Sequence, residues 1–366
     1  MKKAFKSLMG ITQTRIGIVF ALFVPLLFVL VWMTGYHDAT QRIDQLRVAV
    51  VNLDGEAGRP AAERIAASAP FQTETVESEA LAHARMDAGR YAMVAVIPPG
   101  FEEDVRTGRG KLVYTINQGT SEVAAAMMEG AAERLSEGLS QAVSGAETAG
   151  TSAVGAEIVK THEQSNFAVT MLPMILGFIP YIAMMTMNIQ FNISSQILKR
   201  GHGKWNIFWS RQILLALVAL GAPLPVIGLA RLFAEPAASF GSMWLLLVCV
   251  FLASICVTQM SFALLGSAAP LFNVALVPLQ LMTAGNIVPS SMLAPFYRHF
   301  GSFLPAPNGI QGFMRLIYNG EGAGTFMLHL LLIAAVTWGI TLLRTGLQKP
   351  AVSPAAGATA AAAAAH

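Results

Sequence analysis

Residues 16–36, IGIVFALFVPLLFVLVWMTGY, carry no charged side chain, and a run of about twenty such residues crosses ~30 Å of hydrocarbon as one helix. Lys2, Lys3, Lys6 and Arg15 precede this stretch and His37-Asp38 follows it, so the excess of cations on the first side puts the N-terminus in the cytoplasm. A cleaved signal peptide is the alternative, but its apolar core would span only ~7–15 residues before a small-residue cleavage site. This core is longer, and Trp32 and Tyr36 sit where interfacial aromatics belong. The segment is expected to remain as a first transmembrane helix, with the chain beyond it outside.

Of the chain's 366 residues, 54% are hydrophobic and 12% charged, and its mean hydropathy is +0.55, too apolar for an ordinary soluble protein. The acids are segregated: 19 of the 21 Asp and Glu lie between Asp38 and Glu163, and only Glu235 and Glu321 come later. That interval holds 11 Lys and Arg, hence a formal charge of −8. It reads as a water-soluble domain, and its sign argues against nucleic acid as a partner. Cys249 and Cys256 lie seven residues apart in an apolar run, about 10.5 Å along a helix. They cannot bridge within it and read as packing residues with no metal role.

Residues 1–15 place Phe5, Leu8, Met9 and Thr12 on one side of a helix among lysines, a pattern suited to the inner membrane surface; a frayed basic tail is the other reading. In the domain at 37–166, strands are expected at 46–54, 71–76, 91–97 and 111–117. Helices are expected at 60–69, 78–87, 101–106 and 121–143. Alternating strands and helices imply an α/β fold on a small sheet. Residues 144–161, rich in Gly, Ala, Ser and Thr, read as helix or linker returning to the membrane.

Five further apolar segments follow, at 167–189, 213–233, 243–265, 271–288 and 325–343. With the first helix they make six spans, so both termini are expected to be cytoplasmic. Lys199, Arg200, Lys204 and Arg211 in one loop and Arg344 and Lys349 in the tail agree with that orientation. The fold class is therefore a polytopic α-helical membrane protein, six transmembrane helices with an α/β extracytoplasmic domain between helices 1 and 2, in a bacterial cytoplasmic membrane. The tail at 346–366 is low-complexity, has the look of an appended remnant, and is set aside.

No catalytic signature is present: no GxxxxGK[ST] phosphate loop (Gly201-His-Gly-Lys204 lacks the spacing), no HExxH and no GxSxG. The chain cannot hydrolyse ATP by itself. The apolar segments contain no Asp, Glu or Lys, and His329 is their only titratable candidate, which argues against proton coupling. The polar groups within and beside them are uncharged, among them the amides Asn188, Asn192, Gln196, Gln259, Gln280 and Asn286. Asn188, Asn192 and Gln196, spaced four apart, share one helix face. Such a stripe serves as inter-helix glue or lines a passage for amphipathic cargo. Between Lys199 and Arg211, the cations Arg200 and Lys204 and His202 accompany Trp205, Phe208 and Trp209. This loop suits either a lipid-headgroup anchor or docking into a cytoplasmic partner.

Gly285-Asn-Ile-Val-Pro289, Leu293-Ala-Pro295-Phe-Tyr, Leu304-Pro305 and Gly309-Ile-Gln-Gly-Phe-Met-Arg315 occur in the order of the signature between the last two helices of ABC type-2 (ABC-2) permeases. They resemble most the YhgE/Pip (phage infection protein) branch, as do Val48-Ala-Val-Val-Asn-Leu-Asp54 and Ala95-Val-Ile-Pro-Pro-Gly-Phe101. The resemblance implies a homodimer of six-helix subunits with a coupling helix between spans 2 and 3. It also implies a separate ATP-binding-cassette ATPase carrying ATP and Mg, with no cofactor in this chain. Independently, Pro289, Pro295, Pro305 and Pro307 cannot share one straight helix, so residues 285–315 should break and fold back as an outer re-entrant segment.

Two functions follow. The first is the membrane subunit of an ATP-driven exporter of a hydrophobic or amphipathic compound, a lipid or drug-like molecule, in contact with membrane lipid. The alternative is a non-transporting surface protein whose external domain is a phage receptor or secretion-apparatus scaffold.

Overall fold

Along strand β1 (Arg47–Asn52) successive side chains enter two different cores: Val48 and Val50 pack on one side of the sheet, Ala49 and Val51 on the other. This is the period-2 consequence of a pleated strand covered on both faces. The computed structural model describes residues 31, 34, 39–119, 121–144, 154–161, 167–199, 202–233, 236–320 and 322–348. The expected interfacial helix at 1–15, the first span at 16–36 apart from Val31 and Thr34, and the tail beyond 348 lie outside them.

Among the described residues five strands form the sheet, in the order β2-β1-β3-β4-β5, with β2 Gln72–Thr75, β3 Met93–Ile97, β4 Gly110–Asn117 and β5 Val154–Thr161. Only the β3–β4 pairing is antiparallel. Helices α1 (Gly55–Ser68), α3 (Phe101–Arg106) and α4 (Glu122–Ser144) supply Ile65, Phe101, Met128 and Leu135 to the core beneath Val48. Helix α2 (Glu79–Asp87) closes the opposite face with Ala82 and Met86. Every side chain of β3 is buried, since its alternation feeds both cores.

The expectation of helix or linker over 144–161 is corrected by β5, which pairs in parallel with β4 over eight residues. Val154 is buried and Ile158 half-buried, while Glu157 and Lys160 point outward. An edge strand with one half-covered face has too little apolar content to stand out in the sequence.

The bundle comprises α5 (Phe167–Leu198), α6 (Lys204–Gly221), α7 (Pro223–Phe233), α8 (Phe240–Leu265), α9 (Ala269–Met282), α10 (Pro295–Gly301), α11 (Pro305–Met314) and α12 (Gly324–Leu347). Four stretches among the described residues are long and apolar enough to cross a membrane: Thr170–Leu198, Lys204–Leu232, Phe240–Met282 and Gly324–Leu347. The third is 67% buried against 22% for the last, so α8 is the axis of the bundle. Exposed Leu328, Leu331, Leu332 and Val336 make the outer face of α12 lipid-like in character.

The fifth expected span, 271–288, is corrected as well. Helix α9 has 14 residues, ~21 Å of rise and short of the hydrocarbon thickness. It stops at Thr283, and Gly285 takes φ +77°, a backbone conformation that side chains resist. A 3-10 turn at Ser290–Met292 and the short helix α10 follow, and Pro295 and Pro305 each open a helix, where a missing N–H costs nothing.

Helix α11 turns back into the bundle with every residue from Pro305 to Ile310 buried. It crosses α5 at Gly177 and Gly309, where a Cβ on Gly309 would lie 2.8 Å from Val250 Cγ2 and 3.1 Å from Gly177 Cα. Only glycine allows that backbone approach. Met282, Val288, Met292 and Leu293 join the same apolar core as Leu46 and Val48, so the domain and the break after α9 are one packed body.

Candidate functional site

At the end of the bundle remote from the α/β domain, the C-terminal ends of α5, α8 and α12 and the start of α6 enclose a cavity of about 700 Å³. Lys199, Lys204, Arg211 and Arg344 line it, with Asn192, Gln196, Gln259 and Gln348, and no Asp or Glu is among the described lining residues. Phe208, Phe262 and Leu265 supply apolar wall.

The expected loop from Lys199 to Arg211 is helix from Lys204 onward, nine residues before the expected start at 213. Arg211 is corrected from a loop cation to a half-buried helical one: its Nη2 donates to Asn188 Oδ1 at 2.6 Å. The Asn188 amide in turn donates to Thr258 Oγ1 at 2.7 Å, locking α5, α6 and α8 together. Lys204 Nζ donates to the carbonyls of Thr345, Gly346 and Gln348 at 3.2, 2.9 and 2.6 Å. An ammonium there satisfies the orphan acceptors of the α12 C-terminus and complements its dipole.

The aromatics divide. Trp205 and Trp209 are 41% and 48% exposed, whereas Phe208 is 7% exposed and turned inward. Edge-to-face contacts to Phe208 hold both indoles. His202 is exposed, and Arg200 lies outside the described residues.

The amide stripe divides too. Asn192, Gln196 and Gln259 line the cavity, and Asn188 sits buried above them on Arg211. Gln280 and Asn286 belong to the other end. Gln280 Oε1 accepts from the Ala306 N–H at 3.0 Å, capping the start of α11, and Asn286 is half-buried in the turn after α9. Gln311 Nε2 donates to the Ala284 carbonyl at 2.6 Å beside Gly285, whose Cβ would displace that amide. His329, expected as a lone interface group, contacts Asn308 Oδ1 at 3.3 Å.

Near the domain, Arg315 Nη1 and Asn319 Nδ2 donate to the Asp87 carbonyl at 2.8 and 2.5 Å, and Arg42 Nε donates to the Met292 carbonyl at 2.5 Å. Thr34 of the first apolar segment bonds the Tyr297 hydroxyl of α10. Pro289, half-buried, precedes the 3-10 turn. Within the domain, Asp54 Oδ1 and Oδ2 accept from the Gly100 and Glu102 amides at 2.6 and 3.0 Å, so the blocks 48–54 and 95–101 are halves of one structural clasp. Sequence reasoning missed this clasp, the Arg211–Asn188 pair and the lining role of Arg344, because each partner lies tens of residues away with no local pattern.

Apolar helices around a central buried one, a hairpin folded back among them and an α/β domain packed on that hairpin have the length and composition of an α-helical membrane protein. Residues 15–343 match the family described as ABC-2 family transporter protein, and the chain belongs to that family. Its members are membrane components of ABC transporters, typically non-catalytic and partnered by an ABC ATPase. No curated protein and no solved structure matches the chain.

Proposed function

We propose that the protein is the permease subunit of an ATP-driven exporter of a hydrophobic or amphipathic compound, working as a homodimer on a separate ATPase that binds ATP and Mg. The observation that carries this reading is the family match over 15–343 in a chain without a phosphate loop of its own. The cations at 199–211 and 344–349 favour a cytoplasmic position for the cavity end, with the α/β domain outside a bacterial inner membrane. Blocks 48–54, 95–101 and 285–315 favour the YhgE/Pip-like branch.

The start of α6 serves as the coupling element. Trp205 and Trp209 offer exposed aromatic surface to a cleft on the ATPase, with His202 and Arg200 preceding them in the sequence, while Phe208 braces the helix from within. Asn192, Gln196 and Gln259 form the inner part of the substrate path, and Gly285, Pro289, Pro295, Pro305 and Arg315 shape its outer closure together with Gln280 and Asn286. Reconstitution with the co-purifying ATPase tests the assignment: cargo efflux should require ATP hydrolysis and persist without a proton gradient. Proton-driven movement by the chain alone would refute it.

A further inference from the structure

The cavity between α5, α6, α8 and α12 holds more positive charge than the fold explains. Lys204 is committed to the end of α12, but among the described residues Arg344 has no hydrogen-bond or ion-pair partner and the Lys199 ammonium meets only Gln196 Oε1, at 3.3 Å. Arg211 keeps a buried Nε without a partner among the described residues. Beyond residue 166 the chain has just two acids, Glu235 and Glu321, and no Asp or Glu is among the described residues that line the cavity.

Gln259 adds an independent sign. It is 3% exposed, lines the cavity, and its Oε1 is buried without a partner. Buried polar atoms left unpaired are costly and mark places where a ligand or water completes the set. Phe262, Leu264 and Leu265 give the cavity an apolar wall, and Ile193, Ile197 and Leu198 at the same end of α5 are exposed. A headgroup in the cavity would have an apolar surface for its chain.

We propose that this cavity binds the phosphate-bearing head of an anionic amphipath, with Arg211 and Arg344 contacting the phosphate and Gln259 accepting from a hydroxyl or amine on the head. As the identity of the cargo class, this rests on the exporter reading; as a binding site, it stands without it.

The test uses the full chain in a neutral maltoside detergent, titrated with dodecyl phosphate and followed by native mass spectrometry. Saturable binding is expected, weakened about tenfold or more by Arg344→Gln, since charge-assisted hydrogen bonds are the strong ones. Arg211→Gln should do the same. Because Arg211 also braces Asn188, exposed Arg344 is the variant that separates binding from folding.

Absence of saturable binding, or equal binding by wild type and Arg344→Gln, overturns the proposal. Inorganic phosphate binding as tightly as dodecyl phosphate also overturns it, in favour of a plain anion site. If Arg344→Gln loses the ATPase but keeps dodecyl phosphate, the cations serve a protein partner instead. Binding by a chain with which no ATPase co-purifies would uphold the site while removing the exporter reading.

Discussion

Arg315, in the turn that follows α11, donates a hydrogen bond to the Asp87 carbonyl at 2.8 Å across 228 positions of sequence, joining the hairpin in the bundle to the end of α2 in the α/β domain. Gly89 makes room for it: a Cβ there would fall on the guanidinium, and its φ of +72° is itself unsuited to a side chain.

Arg315→Ala should destabilise the protein by ~1.5–3 kcal/mol, the range for hydrogen bonds from charged donors. Asn319→Ala should cost less. The two share one acceptor, so thermal midpoints of both single variants and the double should be non-additive. Additive losses would show that they act separately.

At the crossing of α5 and α11, Gly309→Ala places a methyl 2.8 Å from Val250 Cγ2. Overpacking of this kind costs ~1–3 kcal/mol. The Val250→Ala change, harmful alone by cavity formation, should partly rescue it in a melting experiment. Equal stability of wild type and Gly309→Ala would mean that the helices separate freely.

The coupling assignment separates three neighbouring aromatics. Trp205→Ala and Trp209→Ala should each weaken ATPase co-purification by ~2 kcal/mol, as for interface anchors, with little effect on melting. Phe208→Ala should instead lower stability by ~3 kcal/mol, the cost of truncating a buried phenylalanine. Undiminished co-purification in both tryptophan variants would assign the indoles to lipid anchoring.

In the domain, burial pushes the Tyr114 phenol up to about 12, partly offset by its bond with Ser136. A folded-state value above that of the unfolded chain favours folding most where both are protonated. This contribution, ~2–3 kcal/mol, should be complete below about pH 10 and vanish as pH rises to about 12. Thermal midpoints of wild type should fall across that window more steeply than those of Tyr114→Phe.

Asp54→Ala should leave the Gly100 and Glu102 amides without their carboxylate and cost ~1–3 kcal/mol. Amide exchange should then quicken at 98–106 before the rest of the sheet. Unchanged exchange there would show that the clasp is dispensable.

Read alone, the sequence determined what depends on local pattern. The acid-rich interval, the β1 and β3 runs, the long apolar segments at 167–189 and 243–265 and the prolines after Gly285 each follow from composition or periodicity within a few residues, where hydrophobic patterning and backbone sterics act. The tertiary structure alone decided what depends on partners distant in the chain. It placed β5 at the sheet edge, where half-covered residues carry weak pattern. It ended α9 at Met282, ahead of a left-handed Gly285 whose neighbouring Ala284 carbonyl is bonded by the distant Gln311. It drew Arg211 from an expected loop onto Asn188, and it turned Phe208 inward while leaving Trp205 and Trp209 exposed, since which face of a helix is covered depends on what packs against it.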